Sequence, residues 1–99
     1  MEFKTQKNGN ELIVSLIGEL NTLTAPELSA LLDAELSGVQ SLTLDFTDCD
    51  FVSSAGLRVL LATFKTMKAS KASMKLANVG AVFMDVLENT GLDAVFDFA

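Results

Sequence analysis

The ten residues from Asp45 to Ser54 gather three carboxylates, a thiol and two serine hydroxyls, on Asp45, Asp48, Cys49, Asp50, Ser53 and Ser54. What these groups can do is bounded by what the chain lacks. It contains no His, Trp or Tyr, so Ser-His-Asp and Cys-His nucleophile systems and His-containing zinc sites are excluded. The serines fall where a helix opens, because Leu57, Leu60, Leu61 and Phe64 recur at helical spacing directly after Ser53-Ser54-Ala55-Gly56. A serine there caps the first-turn N–H groups. The same groups, with the positive end of the helix dipole, also seat an anion such as phosphate. Two readings follow: the serines only cap their helix, or Ser54 is a phosphorylation switch on a protein-binding surface.

The neighbouring groups read as structural. Asp45 suits a strand end holding loop amides better than a metal site, and Asp48 with Asp50 makes only two carboxylates in a short turn, weak ground for Mg²⁺. Cys49 lies between acids that raise its pKa, so it reads as a small residue near a strand end rather than a redox sensor. Met67, Met74 and Met84 occupy core-like positions. No metal, no cofactor and no catalytic residue is expected. A small enzyme using Ser54 as nucleophile is a rival reading, and the absence of His and of a nearby Lys base weighs against it.

Composition narrows the classes further. Ninety-nine residues, 49% of them hydrophobic, suit one globular domain, 1–99, burying roughly 65% of the surface its unfolded chain exposes. Seven Lys and Arg against thirteen Asp and Glu give a net charge of −6, which repels nucleic acid and anionic lipid. The apolar runs are far shorter than the roughly 20 residues that cross a bilayer, and Met1-Glu-Phe-Lys-Thr-Gln lacks a signal peptide's apolar centre. A cytoplasmic protein is expected, without direct nucleic-acid binding or membrane insertion. One cysteine excludes an intrachain disulfide.

The elements that must position the serines follow from pattern and punctuation. Glu2 to Thr5 reads as a short edge strand, and Asn8-Gly9 as a hairpin turn, since both residues tolerate positive φ. Leu12 to Ile17 is apolar on both alternations except at Ser15, the pattern of a strand inside a sheet. Thr24-Ala-Pro-Glu27 spells a capping box, predicting a helix to Ser37 through Leu28, Leu31, Leu32 and Leu36, stopped by Gly38. Val39 to Phe46 reads as a third strand. The helix after the serines ends among Lys65, Lys68 and Lys71, where positive charge suits the dipole. Ser73 to Val79 reads as a fourth strand and Gly80 to Thr90 as a third helix, stopped by Gly91. The tail from Leu92 to Phe98 fits a short strand or a helical turn, the strand being preferred. The order predicts an α/β domain: a mixed, mostly parallel sheet of four to five strands with helices packed against it.

On that frame the serine corner lies at the carboxyl end of a central strand, where open α/β sheets place their ligand sites. Ala55 and Gly56 leave little side chain to block an approaching protein, and Arg58, Val59 and Ala62 face outward from the helix.

Leu42-Thr-Leu-Asp-Phe followed by Phe51-Val-Ser-Ser-Ala-Gly-Leu-Arg-Val-Leu-Leu resembles the signature of the STAS domain in bacterial anti-sigma-factor antagonists. Gly18-Glu-Leu-Asn with Thr24-Ala-Pro-Glu-Leu is similar to that family's first loop and helix, and Leu87-Glu-Asn-Thr-Gly-Leu-Asp-Ala-Val-Phe to its last helix and strand. The likeness covers nearly the whole chain. It implies a STAS-like fold and a non-catalytic role in partner switching. In such systems the unphosphorylated antagonist sequesters an anti-sigma factor that is also a serine kinase. The kinase uses ATP to phosphorylate a serine at the start of the second helix, and a serine phosphatase removes the phosphate.

The matching phosphoacceptor is Ser54 rather than Ser53, with Asn21, Asp48, Asp50, Ser53, Ala55, Gly56 and Arg58 as its surroundings and partner interface. The chain departs from the family in having Ser53 and Ala55 where Asp and Ser or Thr usually flank the acceptor, and Asn21 where the first loop commonly has Asp. Another STAS role, as an interaction module of a stress-sensing or lipid-transport assembly, is the alternative the resemblance leaves open.

Overall fold

Alternating apolar residues on three successive strands build the core and decide where the helices lie. The computed structural model describes residues 1–99. Strands β1 (Glu2–Asn8) and β2 (Glu11–Ile17) form an antiparallel hairpin. Strands β3 (Ser41–Asp48), β4 (Ser73–Ala77) and β5 (Asp97–Phe98) each pair parallel to the one before, so the sheet order is β1-β2-β3-β4-β5. Helices α1 (Ala25–Glu35), α2 (Ser54–Ala69) and α3 (Ala81–Thr90) make the crossovers, and a single 3-10 turn at Leu92–Ala94 precedes β5. The expected mixed, mostly parallel sheet with helices packed on it is what forms, with five strands.

The register puts Leu12, Leu42 and Met74 side by side, then Val14, Leu44 and Leu76, all at most 1% exposed. Parallel connections are as a rule right-handed, and crossovers of that hand that advance one strand at a time in one direction leave the helices on one face. Phe83 of α3 packs tilted against Phe46 of β3 with ring centroids 5.1 Å apart, and Phe64 of α2 meets Phe96 edge-on at 5.4 Å. The opposite face is uncovered. Ile13, beside Thr43 and Lys75 in the register, is 39% exposed, and Ile17 is half-buried. The apolar double alternation of β2 therefore marks its interior place in the sheet, not burial on both faces.

Other departures have local causes. The hairpin turn is Gly9-Asn10, with Asn8 paired to Glu11 as the last strand residue. Only Gly9 takes a positive φ, +64°, as a turn with glycine at its first central position requires. The capping box does not form, because the Thr24 hydroxyl is used inside the preceding loop and makes no cap bond. Helix α1 stops at Glu35 with Leu36 as C-cap, before Ser37. Strand β3 begins at Ser41 rather than Val39, although Val39 is buried. Lys71 lies past the end of α2, and Asn78, just past β4, turns left-handed with φ +56° and ends that strand before Val79. The tail uses both expected forms, a 3-10 turn and then the short β5.

Candidate functional site

Three loops leave the carboxyl ends of the neighbouring parallel strands β2, β3 and β4, so the topology sets them side by side with the β3–α2 corner in the middle. The first loop is sewn to the second through the backbone. The N–H of Gly18 donates to the Asp48 carbonyl at 3.0 Å, that of Leu20 to Phe51 at 2.9 Å, and that of Ser53 to Leu20 at 2.8 Å. Leu20 and Val52 form a parallel bridge. Asn21 is locked by its own loop: its Oδ1 accepts the N–H groups of Leu23 at 3.0 Å and Thr24 at 3.1 Å. Its N–H in turn donates to the Thr24 hydroxyl at 2.8 Å, which donates onward to the Glu19 carbonyl at 2.7 Å. An acceptor oxygen is all this loop asks of residue 21, so Asn serves where an Asp would.

The two serines divide the work of the helix start. Ser53 is the N-cap, in extended conformation. Its Oγ accepts the Gly56 N–H at 3.4 Å, and its carbonyl accepts the Leu57 N–H at 2.9 Å. Ser54 is the first helical residue and exposed, and its hydroxyl makes no hydrogen bond. The N–H groups of Ser54 and Ala55 also find no partner within the chain. A free hydroxyl thus stands over two unpaired donors at the positive end of a 16-residue helix.

Of the other expected interface residues, Asp48, Asp50 and Arg58 are exposed, while Asn21, Ser53 and Ala55 are half-buried. Arg58 lies four residues beyond Ser54, hence on the same side of α2, and takes part in no ion pair; the one present joins Lys68 to Asp97 at 3.3 Å. Gly56 is not part of an open surface. It is buried against Leu20 and Val52, whose side chains occupy the space a Cβ would need. Its smallness serves internal packing of α2 on the first loop rather than access for a partner.

Asp45 behaves as a loop holder. Its Oδ1 accepts the Thr47 N–H at 3.0 Å, the Thr47 hydroxyl at 2.6 Å and the Asn78 side-chain N–H at 3.0 Å. These bonds, the Thr47 hydroxyl foremost, hold its pKa below the usual carboxylate value. Cys49 is 1% exposed, and burial foremost, with the charges of Asp50 and Glu19 added, pushes its thiol pKa up. The thiol is a packed structural group.

The sequence reading missed the apolar side chains on this end. Leu23 is 84% exposed, Val82 63% and Phe51 46%. Leu23 stands between polar capping residues and Val82 begins a helix, so neither belongs to a periodic face that would flag it. No helix of the chain is long and apolar enough to cross a membrane.

The family model of the STAS domain matches residues 2–99. BtrV of Bordetella bronchiseptica, assigned to the anti-sigma factor antagonists, is 31% identical over 100 residues, covering 100% of this chain and 86% of that protein. The anti-sigma-B factor antagonist of Bacillus subtilis is 29% identical over 94 residues, 95% of this chain and 86% of its relative. Among solved structures, the phosphorylated form of the Bacillus cell fate determinant SpoIIAA superposes with a TM-score of 0.78 at 19% identity, over 99% of this chain and 91% of that one. That likeness is one of fold.

Proposed function

This chain belongs to the STAS domain family, as an anti-sigma factor antagonist, and from that premise we propose that Ser54 is the phosphoacceptor that switches it between partners. An antagonist of this kind is a non-enzymatic regulator that acts by binding an anti-sigma factor. In our reading that factor is also the serine kinase, a phosphatase reverses the modification, and the exchange takes place in the cytoplasm. The observation that supports Ser54 is the division between the serines: Ser53 is spent on the cap, whereas Ser54 is exposed and unbonded. The existence of a phosphorylated form of SpoIIAA, which shares the fold, accords with it.

The switch has a simple electrostatic logic. A phosphate adds about −1.5 to −2 charge, and the unpaired N–H groups of Ser54 and Ala55 are placed to receive it, so the fold tolerates the modification. A partner packed over the corner has no such compensation. It would bury the phosphate close to Asp48 and Asp50, and an uncompensated buried charge costs about 3 to 5 kcal/mol. About 2.8 kcal/mol already weakens affinity a hundredfold. The unphosphorylated form binds and the phosphorylated form is released, with Asn21, Asp48, Asp50, Ser53 and Arg58 around the contact.

The test is site-mapping mass spectrometry after incubation with ATP and the candidate kinase. One added phosphate that disappears in Ser54→Ala and persists in Ser53→Ala is the expected result. A phosphate lost in Ser53→Ala instead would move the switch to the capping serine.

A further inference from the structure

We propose that Leu23, Phe51 and Val82 are the apolar anchors by which this chain grips its anti-sigma partner, and that the partner meets them with an apolar surface bordered by basic side chains. The inference rests on the reading of Ser54 as the switch, and it names the part of the surface that supplies affinity.

Single exposed apolar residues are ordinary on any protein. Here, of the five large apolar side chains left exposed, three follow the three adjacent strands β2, β3 and β4 one apiece, Leu23 and Phe51 on the loops after β2 and β3 and Val82 in the first turn of α3 after β4. Their neighbourhood is fixed by the backbone. The Leu20–Phe51 hydrogen bond joins the first loop to the second, and the parallel pairing of β3 with β4, which runs to Asp45 opposite Ala77, sets the third segment beside the second. The chain leaves these groups in water although burying each would be favourable, at the same end of the sheet as Ser54 and its free hydroxyl.

Around them the exposed charges are mostly negative, Glu19, Asp48 and Asp50 against the single Arg58. A matching surface must therefore be apolar at its centre and basic at its rim, which is the usual anatomy of a specific interface. A phosphate placed among the anchors would have to be desolvated whenever they were buried, so affinity and its control share one patch.

The experiment measures binding kinetics of the full chain with the purified candidate anti-sigma kinase. Leu23→Gln and Val82→Gln are each expected to weaken binding tenfold or more, mainly through faster dissociation, with the thermal midpoint unchanged. Added salt is expected to slow association of all forms alike. If the kinase binds these variants as it binds the unaltered chain while Ser54→Asp abolishes binding, the anchors lie elsewhere and the switch reading stands. If it neither binds nor phosphorylates the unaltered chain, both fall. If sedimentation shows a dimer that Leu23→Gln dissolves, the patch joins copies of this chain and the proposal is overturned.

Discussion

A Cβ placed on Gly56 would lie 2.7 Å from Cγ of Leu20 and 2.9 Å from its Cδ2. Helix α2 therefore reaches the first loop only because residue 56 has no side chain. Alanine would gain about 1 kcal/mol of helix propensity, but Leu20 is wholly buried and cannot swing aside, and overpacking of this kind costs about 1 to 3 kcal/mol. Gly56→Ala is expected to destabilise the chain by about 1 kcal/mol net, lowering the midpoint of denaturant unfolding. An unchanged or raised midpoint would show that the loop yields freely.

The cap and the switch are separable. Ser53→Ala removes the Oγ that accepts the Gly56 N–H. With a contact as long as 3.4 Å, the expected loss falls at the low end of the capping range, about 0.5 kcal/mol. Phosphate uptake on Ser54 should continue in this variant. A loss of several kcal/mol in urea unfolding would mean that Ser53 does more than cap.

Element order, the sheet's mixed pairing and the corner with its serines were legible because periodicity and punctuation agree there: Leu57, Leu60 and Phe64 follow Ser53 at helical spacing, and Gly91, with φ +76°, ends α3 as its position suggests. The errors arose where two partners compete for one group. Thr24 spells a capping box with Glu27, yet its hydroxyl goes to Glu19 and Asn21, a loop contact that no local pattern encodes. Gly56 looks like an opening for a partner because its sequence neighbours are small, and only the crossing of Leu20 over it reveals packing. Ile13 and Ile17, by contrast, rightly mark β2 as an interior strand of the sheet, although their face is left open.

Acid stability should depend on Asp45. Its pKa is held down in the folded chain by Thr47 and Asn78, so its contribution is fully present above the unfolded value near 3.8 and is lost as pH falls through the lower folded value. Asp45→Asn removes that contribution. Unfolding free energy followed from about pH 5 to pH 2 should fall less steeply in the variant than in the unaltered chain. Parallel curves would show that other carboxylates govern the acid limb.

Charge at position 54 should stabilise the fold while abolishing partner binding. In Ser54→Asp the carboxylate meets the unpaired N–H groups of residues 54 and 55 at the positive end of α2, worth about 0.3 to 1 kcal/mol. Arg58, four residues on and free of any ion pair, adds about 0.2 to 0.5 kcal/mol as an i,i+4 partner. The midpoint of unfolding should rise at low salt, rise less at high salt, and lose part of the gain when Arg58→Ala is added. A double-mutant cycle over positions 54 and 58 measures that coupling directly. A Ser54→Asp chain less stable than its parent would contradict the view that the helix start accommodates the anion, because the modification would then act by disturbing the fold and not by repelling the partner.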